Sequence, residues 1–195
     1  MTFPARATGR IRGCVVTGAS RAASSSAACY TQRMPENFFD ALIAAADPPV
    51  FVVTLAAGGR RAGCLVGFAT QVAIEPKRFL VCLSKVNHTY RLAQHAEFVG
   101  VHLIGRDHAS LAMLFGGETG DEIDKFAHCS WQPGPHEVPV LDDAAAWFCG
   151  RVLDRHDFGD HVGLFLAPEV GESLRSEPGA LRYHDVTDLE PGHPA

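Results

Sequence analysis

The stretch that most constrains the fold is residues 62–91, in which two apolar, β-branched runs flank a turn that contains a proline. The first run covers residues 62–74, and the second covers residues 79–83. Runs of this length that are separated by turn residues are typical of paired β-strands. The second run ends abruptly at residues 84–91, where hydroxyl, amide and cationic side chains replace the apolar ones. The sequence therefore predicts two strands followed by a polar segment, residues 84–91.

The polar segment has the composition of an anion site. Ser84 and Thr89 offer hydroxyls, Lys85 and Arg91 offer positive charge, and a helix that starts near His88 would add free N–H groups. These groups together predict a phosphate-binding site. The alternative is that the two cations are ordinary solvated side chains, as most charged residues near a helix start are.

The remaining chain predicts short strands with a few helices. Apolar residues from Phe38 to Ile43 recur at helical spacing, and residues 50–55 form a β-branched run that Gly58 and Gly59 turn back as a hairpin. Further on we predict helices over 90–96 and 109–115, an irregular excursion over 120–139, and strands over 98–104, 145–153, 161–170 and, at an edge, 180–183. Most strands lie too close together for helical crossovers, which favours an antiparallel barrel.

Charge is distributed unevenly along the 195 residues. Five of the 17 Lys and Arg residues lie in residues 1–35, which contain no acid, so the rest of the chain carries 12 basic against 22 acidic residues. An acidic body argues against a general nucleic-acid binder, which needs a basic face. Residues 1–33 are rich in Ala, Ser and Arg without core periodicity, and we predict a disordered or low-complexity leader there.

Cysteine usage and hydropathy predict a cytoplasmic protein. The six cysteines show no CxxC motif or regular spacing, so reduced and mostly buried thiols are expected. The apolar run over residues 41–57 is interrupted by an Asp-Pro-Pro sequence, which excludes a single membrane-spanning helix there. The ten histidines and six cysteines lack ligand spacing, and we predict no metal site.

In the order of its motifs the chain resembles the flavin reductase-like family, which is built on the FMN-binding split barrel. The resemblance rests on Gly63, Gly67, F-x-T at 68–70, V-x-I-E-P at 72–76 and L-V-C-L followed by S-K at 80–85, and it continues at 124–126, 139–141, 144–148 and 159–161. It covers roughly residues 36–170. The resemblance implies a mainly β protein, a six-stranded antiparallel Greek-key split barrel over residues 34–187, followed by a frayed tail, 188–195.

The resemblance also implies a flavin site. It assigns the flavin wall to Leu65, Val66, Gly67, Thr70 and Gln71. It assigns the flavin phosphate to Ser84, Lys85, His88 and Thr89 of the polar segment, and the charge of Arg91 adds that residue to the predicted site. Since Gly67 has no Cβ, a flat ring could approach the backbone there, although a β-bulge without a ligand would also explain a glycine. Many members carry hydroxyl residues where this chain has Leu65, Gly67, Gln71 and Ala73, which leaves FMN versus FAD open.

Two further residues are assigned by the resemblance. His161 corresponds to a histidine near the reacting face, where a donor could position nicotinamide or steady negative charge. A structural or surface role is the alternative for His161. Phe126 could cover the flavin ring system, or it could be a local apolar plug in the excursion.

The activity that the resemblance implies is reduction of FMN or FAD by NAD(P)H in a homodimeric flavoprotein, with reduced flavin passed to a monooxygenase or used in place. Two other classes stay open at this point. One is a split-barrel oxidoreductase that uses a deazaflavin or acts directly on an organic substrate. The other is a flavin or haem protein that carries electrons and has no enzymatic activity.

Overall fold

A computed structural model describes residues 38–172 and 179–192 of the chain. The predicted leader, residues 1–33, lies outside the described residues. The described chain contains three α-helices, α1 (Phe38–Ala46), α2 (His88–Ala93) and α3 (Ala109–Gly117). Its strands are β1 (Phe51–Ala57), β2 (Arg60–Val66), β3 (Ala69–Ala73), β4 (Arg78–Ser84), β5 (Phe98–Leu103), β6 (Trp131–Pro133), β7 (Pro139–Leu141), β8 (Ala146–Asp157) and β9 (His161–Glu172).

Seven strands form one antiparallel sheet in the order β2-β1-β5-β8-β9-β4-β3. The two end strands of this order, β2 and β3, are consecutive in the chain and are separated only by Gly67 and Phe68. The two ends of the sheet are therefore joined through one bent stretch of chain, and β2 also contacts β4, so the sheet curves into a barrel. The predicted mainly β, antiparallel Greek-key barrel is confirmed.

The number of strands differs from six because one predicted strand is broken in two. The sequence predicts a continuous run over residues 62–74, whereas the β2 ladder ends at Val66 and the β3 ladder begins at Ala69. The break lets the first half pair with β1 and the second half pair with β4. If β2 and β3 count as one bent strand, the barrel has the six strands that were predicted.

Local signals explain the elements around this break. Gly58 and Gly59 have φ of 58° and 72°, the left-handed conformation that a two-residue hairpin loop requires, and they join β1 to β2. Helix α2 begins after Asn87, whose side-chain oxygen accepts a hydrogen bond from the N–H of Thr89 at 2.8 Å. An asparagine cap of this kind starts the helix at His88, as the polar segment predicts and two residues before the predicted helical run over 90–96.

Two apolar clusters hold the domain together. The first fills the barrel and is closed at one end by Leu92 and Ala93 of α2; its fully buried members include Val53, Leu55, Val81, Leu83, Val99, Leu164 and Leu166. The second packs α3 and the excursion against the outside of β1 and β5; its members include Val52, Ile104, Leu111, Phe115, Phe126, Leu141 and Leu181. Helix α3 is thereby fixed beside the end of β2.

Three predicted segments differ in detail. The excursion over 120–139 contains the short strand β6, which pairs with β7. The predicted edge strand over 180–183 is reduced to two isolated bridges, Gly105 with Ala180 and Pro49 with Arg182. The tail that the sequence predicts to be frayed from residue 188 is described through Gly192, whose N–H donates to the Gly116 carbonyl at 3.1 Å.

Helix α1 confirms the helical periodicity around residues 38–43 but has no fully buried side chain. Phe39 and Leu42 are more than half exposed. None of the helices in the described part of the chain has the length and apolarity needed to span a bilayer.

His102 is completely buried and satisfies both ring nitrogens with backbone groups. Its Nδ1 lies 3.1 Å from the Val52 carbonyl, which can only accept, and its Nε2 accepts the N–H of Leu141 at 3.3 Å. These partners require a neutral imidazole with the proton on Nδ1. Burial lowers the pKa of His102 from its ordinary 6.5 to about 4.

This pKa shift predicts a loss of stability in mild acid. Between pH 6.5 and 4 the unfolded chain binds a proton at His102 that the folded chain does not. His102 should therefore lower the free energy of unfolding by about 1.4 kcal/mol for each unit by which the pH falls in this range. Urea unfolding of the wild type at pH 7.5, 6.5, 5.5 and 4.5 measures the slope. His102→Gln should be less stable at pH 7.5 but should show a shallower slope.

His95→Gln is the matched control, because His95 is exposed. It should retain the slope of the wild type. Parallel slopes for the wild type and His102→Gln would contradict the prediction.

Candidate active site

A cavity of about 210 Å³ opens where β2 passes into β3. We call it the Gly67 cavity. Its walls come from five parts of the chain: the β2–β3 break, the outward face of β4 with the residue that caps α2, the start of β9, the end of α3, and the C-terminal residues beyond 188. The lining residues are Cys64, Leu65, Val66, Gly67, Phe68, Cys82, Ser84, Asn87, Phe115, Gly116, His161, Leu189 and Pro191.

Gly67 gives this cavity an open backbone wall. A Cβ built on Gly67 would meet no atom within 4 Å, so the space beside its backbone is free. Gly67 and Phe68 lie between the β2 and β3 ladders, and their N–H groups are therefore not committed to a strand partner. The Phe68 carbonyl accepts the N–H of Cys82 at 2.9 Å, and this hydrogen bond holds the chain at the break against β4. Such a wall can take a flat ring and donate hydrogen bonds to its edge.

His161, the first residue of β9, lies beside Ser84, the last residue of β4. The two residues are paired in the antiparallel register, so their side chains lie on the same face of the sheet. The His161 Nδ1 lies 3.0 Å from the Asp160 carboxylate, and its ring contacts Phe68 edge to face with centroids 5.1 Å apart. The hydrogen bond from His161 lowers the pKa of Asp160. These contacts fix the position of the imidazole, which lines the cavity.

Two thiols line the cavity, and both are protonated at neutral pH. Burial raises the pKa of Cys64 to about 11, against a smaller opposing effect of the Thr89 hydroxyl. Burial also raises the pKa of Cys82. Because the thiolate is the reactive form of cysteine, neither residue has the character of a nucleophile.

Lys85 is turned toward the β8–β9 hairpin. Its Nζ lies 2.8 Å from both carboxylate oxygens of Asp157, and its backbone N–H donates to the Asp160 carbonyl at 2.9 Å. The hydrogen bond from Lys85 is the largest cause of the lowered pKa of Asp157, followed by the N–H of Gly159. Lys85 itself does not line the Gly67 cavity.

Arg91 and His88 of the polar segment both contact one carboxylate of the excursion. Asp121 contacts His88 Nδ1 at 2.9 Å and also pairs with the Arg91 guanidinium. The pKa of Asp121 is lowered, first by its hydrogen bond with His88 and then by Arg91. Thr89 is 1% exposed and faces Cys64 in the interior, so its hydroxyl is directed away from solvent.

A second cavity of about 540 Å³ lies next to the first along β2. It is lined by charged groups, and one of its cations, Arg61, pairs with Asp124 at 2.6 Å and stacks over Trp131. Phe126 borders this cavity but is only 4% exposed and packs edge to face against Phe115 and Trp131. That packing corresponds to the plug alternative for Phe126. The paired charges that line this cavity make it a poorer receptor for a flat apolar ring than the Gly67 cavity.

Lys125, next to Phe126, is buried although it is charged. Its Nζ donates to the Phe115 carbonyl at 2.9 Å and lies 3.4 Å from the Gly63 carbonyl. Burial lowers the pKa of Lys125. Lys125 therefore ties the end of α3 to β2, which positions the Phe115 and Gly116 wall.

The structure brings together part of the set that the sequence predicts. Leu65, Val66, Gly67, Ser84 and His161 line one cavity. Thr70 and Gln71 lie on the exposed part of β3, where the Gln71 amide donates to the Ala73 carbonyl. Lys85, His88, Thr89, Arg91 and Phe126 do not line this cavity, and His88 and Phe126 line the second cavity instead. Their assignment to a ligand stays a prediction.

Several lining residues were missed in the sequence. Phe68 and Cys82 lie inside the motifs on which the resemblance rests. Cys82 could have been predicted, because residues two apart in a strand lie on the same face and Cys82 precedes Ser84 by two in β4. Phe115 and Gly116 reach the cavity only through the packing of α3. No local signal marks Leu189 or Pro191, because their position depends on a contact with a distant helix.

Comparison with known proteins places this architecture in a family. Residues 45–186 match the family model described as flavin reductase like domain. A relative from Methylorubrum extorquens named "FMN reductase (NADH) RutF" is 31% identical over 136 residues, which cover 70% of this chain and 65% of that relative. The chain thus spans just under two thirds of the length of that relative.

Two further comparisons agree. The "Flavin-dependent monooxygenase, reductase subunit HsaB" of Mycobacterium tuberculosis is 29% identical over 133 residues, or 65% of this chain and 70% of that one. The crystal structure of a flavin reductase domain protein from Arthrobacter sp. FB24 superposes with a TM-score of 0.69 at 23% identity, covering 77% of this chain and 91% of that one, which shows the shared fold. The matched segment contains the whole barrel and all the strands around the Gly67 cavity, and the chain belongs to the flavin reductase like domain family.

Proposed function

We propose that this protein is an NAD(P)H-dependent oxidoreductase that reduces FMN or FAD. The observation that carries the proposal is the Gly67 cavity, in which an open backbone break, aromatic side chains and a histidine surround one space. Bound flavin would supply the hydride acceptor and the nicotinamide nucleotide the hydride donor. The relatives named as NADH-dependent FMN reductases favour FMN and NADH as first choices.

The residues of this chain would bind and orient rather than react. The N–H groups at the β2–β3 break would hold the edge of the ring, and Gly67 leaves room for the ring to approach. Ser84 would donate its hydroxyl toward the flavin side chain. His161, held by Asp160, would present a donor at the reacting face. Protonated Cys64 and Cys82 would contribute apolar surface.

We also propose that the protein is a homodimer whose partner subunit completes the site. Pockets for small ligands usually enclose about 300–1,000 Å³, whereas the Gly67 cavity encloses about 210 Å³, so a flavin would extend out of it. Large apolar side chains are exposed at and beyond the cavity: Phe68 lines it, Val72 lies on β3, and Phe158 follows β8. A second copy placed over this surface would cover both these side chains and the exposed part of the flavin.

The physiological setting is proposed on similar grounds. The relative from Mycobacterium tuberculosis is named as the reductase subunit of a monooxygenase, which supports a role in supplying reduced flavin to such an enzyme. Four free thiols in the described chain, Cys64, Cys82, Cys129 and Cys149, support a reducing, cytoplasmic location.

One experiment tests the function directly. The purified protein is saturated with FMN, and its visible spectrum is recorded before and after anaerobic addition of NADH. We expect the absorption of oxidised flavin to disappear. Bound flavin that NADH and NADPH leave oxidised would favour the electron carrier, and the absence of flavin binding at micromolar protein would refute the proposal.

A second prediction concerns His161. If it acts at the reacting face, His161→Ala should lower the single-turnover rate of flavin reduction by about a hundredfold and leave flavin affinity nearly unchanged, because its effect falls on the transition state. Rapid-mixing absorbance of flavin-loaded protein measures this rate. His156→Ala, at an exposed histidine of β8, is the control. If flavin occupancy and thermal stability fall while the rate per bound flavin stays the same, His161 is structural.

A third prediction tests the phosphate assignment against the ion pair that holds Lys85. Lys85→Ala should weaken FMN about tenfold through loss of a charge-assisted contact and leave riboflavin, which has no phosphate, unaffected. Asp157→Asn should strengthen FMN binding, because it frees Lys85 from its carboxylate. Titration calorimetry with both ligands measures these changes. Equal weakening of FMN and riboflavin by Lys85→Ala would show that Lys85 supports the β8–β9 hairpin instead.

A further inference from the structure

Residues 188–192, which we call the C-terminal strap, form one wall of the Gly67 cavity. Leu189 and Pro191 line the cavity together with Gly67 and His161. The family match ends before the strap, at residue 186. The strap therefore adds apolar surface that the barrel of the matched segment does not provide.

The strap is seated closely on the end of α3. The N–H of Gly192 donates to the Gly116 carbonyl at 3.1 Å. A Cβ on Gly192 would lie 2.8 Å from the carbonyl oxygens of Glu118 and Gly117, so the backbones meet at a distance that only glycine permits. A Cβ on Gly116 would lie 3.3 Å from the side chain of Leu189. The position of Leu189 thus depends on this contact between backbones.

The segment before the strap is held as well. The Asp185 carboxylate accepts the backbone N–H of Arg182 at 2.9 Å and contacts Arg106 at 3.3 Å. His184 binds the Asp47 carboxylate through both its backbone N–H, at 3.0 Å, and its Nδ1, at 2.7 Å. The strap is consequently fixed at both ends, and Leu189 lies between the two attachments.

We propose that the C-terminal strap belongs to the flavin site, where Leu189 contacts the ring system of bound flavin and slows its release. This inference rests on the proposed flavin-reducing function. Leu189 and Pro191 are apolar, so their contacts favour the ring over the phosphate. A reductase that passes its product to another enzyme must release flavin, and the strap would set the rate of that step for this chain.

The first test measures flavin release. FMN or riboflavin is bound to the full chain, the complex is diluted rapidly to a concentration far below its dissociation constant, and the fluorescence of the released flavin is followed over time. Leu189→Ala should accelerate release of both flavins by about threefold to tenfold, the range expected for losing part of a buried leucine. Gly192→Val should do the same by displacing the strap. Glu190→Ala, at an exposed neighbour that does not line the cavity, should have no effect.

The second test needs no flavin. Cys82 lies in the cavity wall, whereas Cys129, which packs against the second core cluster, does not line the cavity. Labelling with a maleimide, located by peptide mass spectrometry, should be about tenfold faster at Cys82 in Gly192→Val than in the wild type. The rate at Cys129 should be unchanged, which shows that the variant is folded.

The outcomes separate the two proposals. If flavin binds but its release and the labelling of Cys82 are the same in all variants, the strap is not part of the site and this inference is overturned. If no variant binds flavin, the proposed function fails, and the Cys82 labelling still decides whether the strap covers the cavity. If labelling of Cys129 also rises in Gly192→Val, that variant is unfolded, and the release rate of Leu189→Ala decides.

Discussion

The break between β2 and β3 is the constraint on which the rest of the structure depends. Because β2 pairs with β1 and β3 pairs with β4, one continuous stretch of chain joins the two ends of the sheet and closes the barrel. The same change of partner leaves Gly67 and Phe68 outside both ladders. Barrel closure and an open backbone wall therefore arise from a single feature, and an unbroken strand could provide neither.

The cations of the polar segment are paired with exposed carboxylates, which the phosphate of a ligand could replace. Lys85 is paired with Asp157, and Arg91 and His88 share Asp121, so the cations of the polar segment are neutralised by carboxylates in this structure. The carboxylates are about half exposed or more, at 68% for Asp157 and 49% for Asp121. Exposed ion pairs contribute about 0–1 kcal/mol. A phosphate could replace such a carboxylate at small cost, which a buried ion pair would not allow.

The sequence predicted those parts of the site that a short stretch of chain builds. Leu65 and Val66 end β2 and Gly67 follows them directly, while Ser84 follows the alternation of β4, so their shared wall could be inferred from the motif order. The partners of the cations could not be inferred, because Asp121 and Asp157 lie 30 and 72 residues away from Arg91 and Lys85. The burial of Phe126 depended in the same way on the position of α3.

The sequence by itself determined the barrel class, the hairpin at Gly58 and Gly59 and the start of α2 near His88, because hydrophobic alternation, glycine and capping residues act over a few residues. The tertiary structure decided where the bent strand breaks, which cations are already paired and that Leu189 reaches the cavity. Each of these depends on which surfaces meet once the barrel has closed. Contacts between distant segments follow from packing in three dimensions, and no local pattern in the chain encodes them.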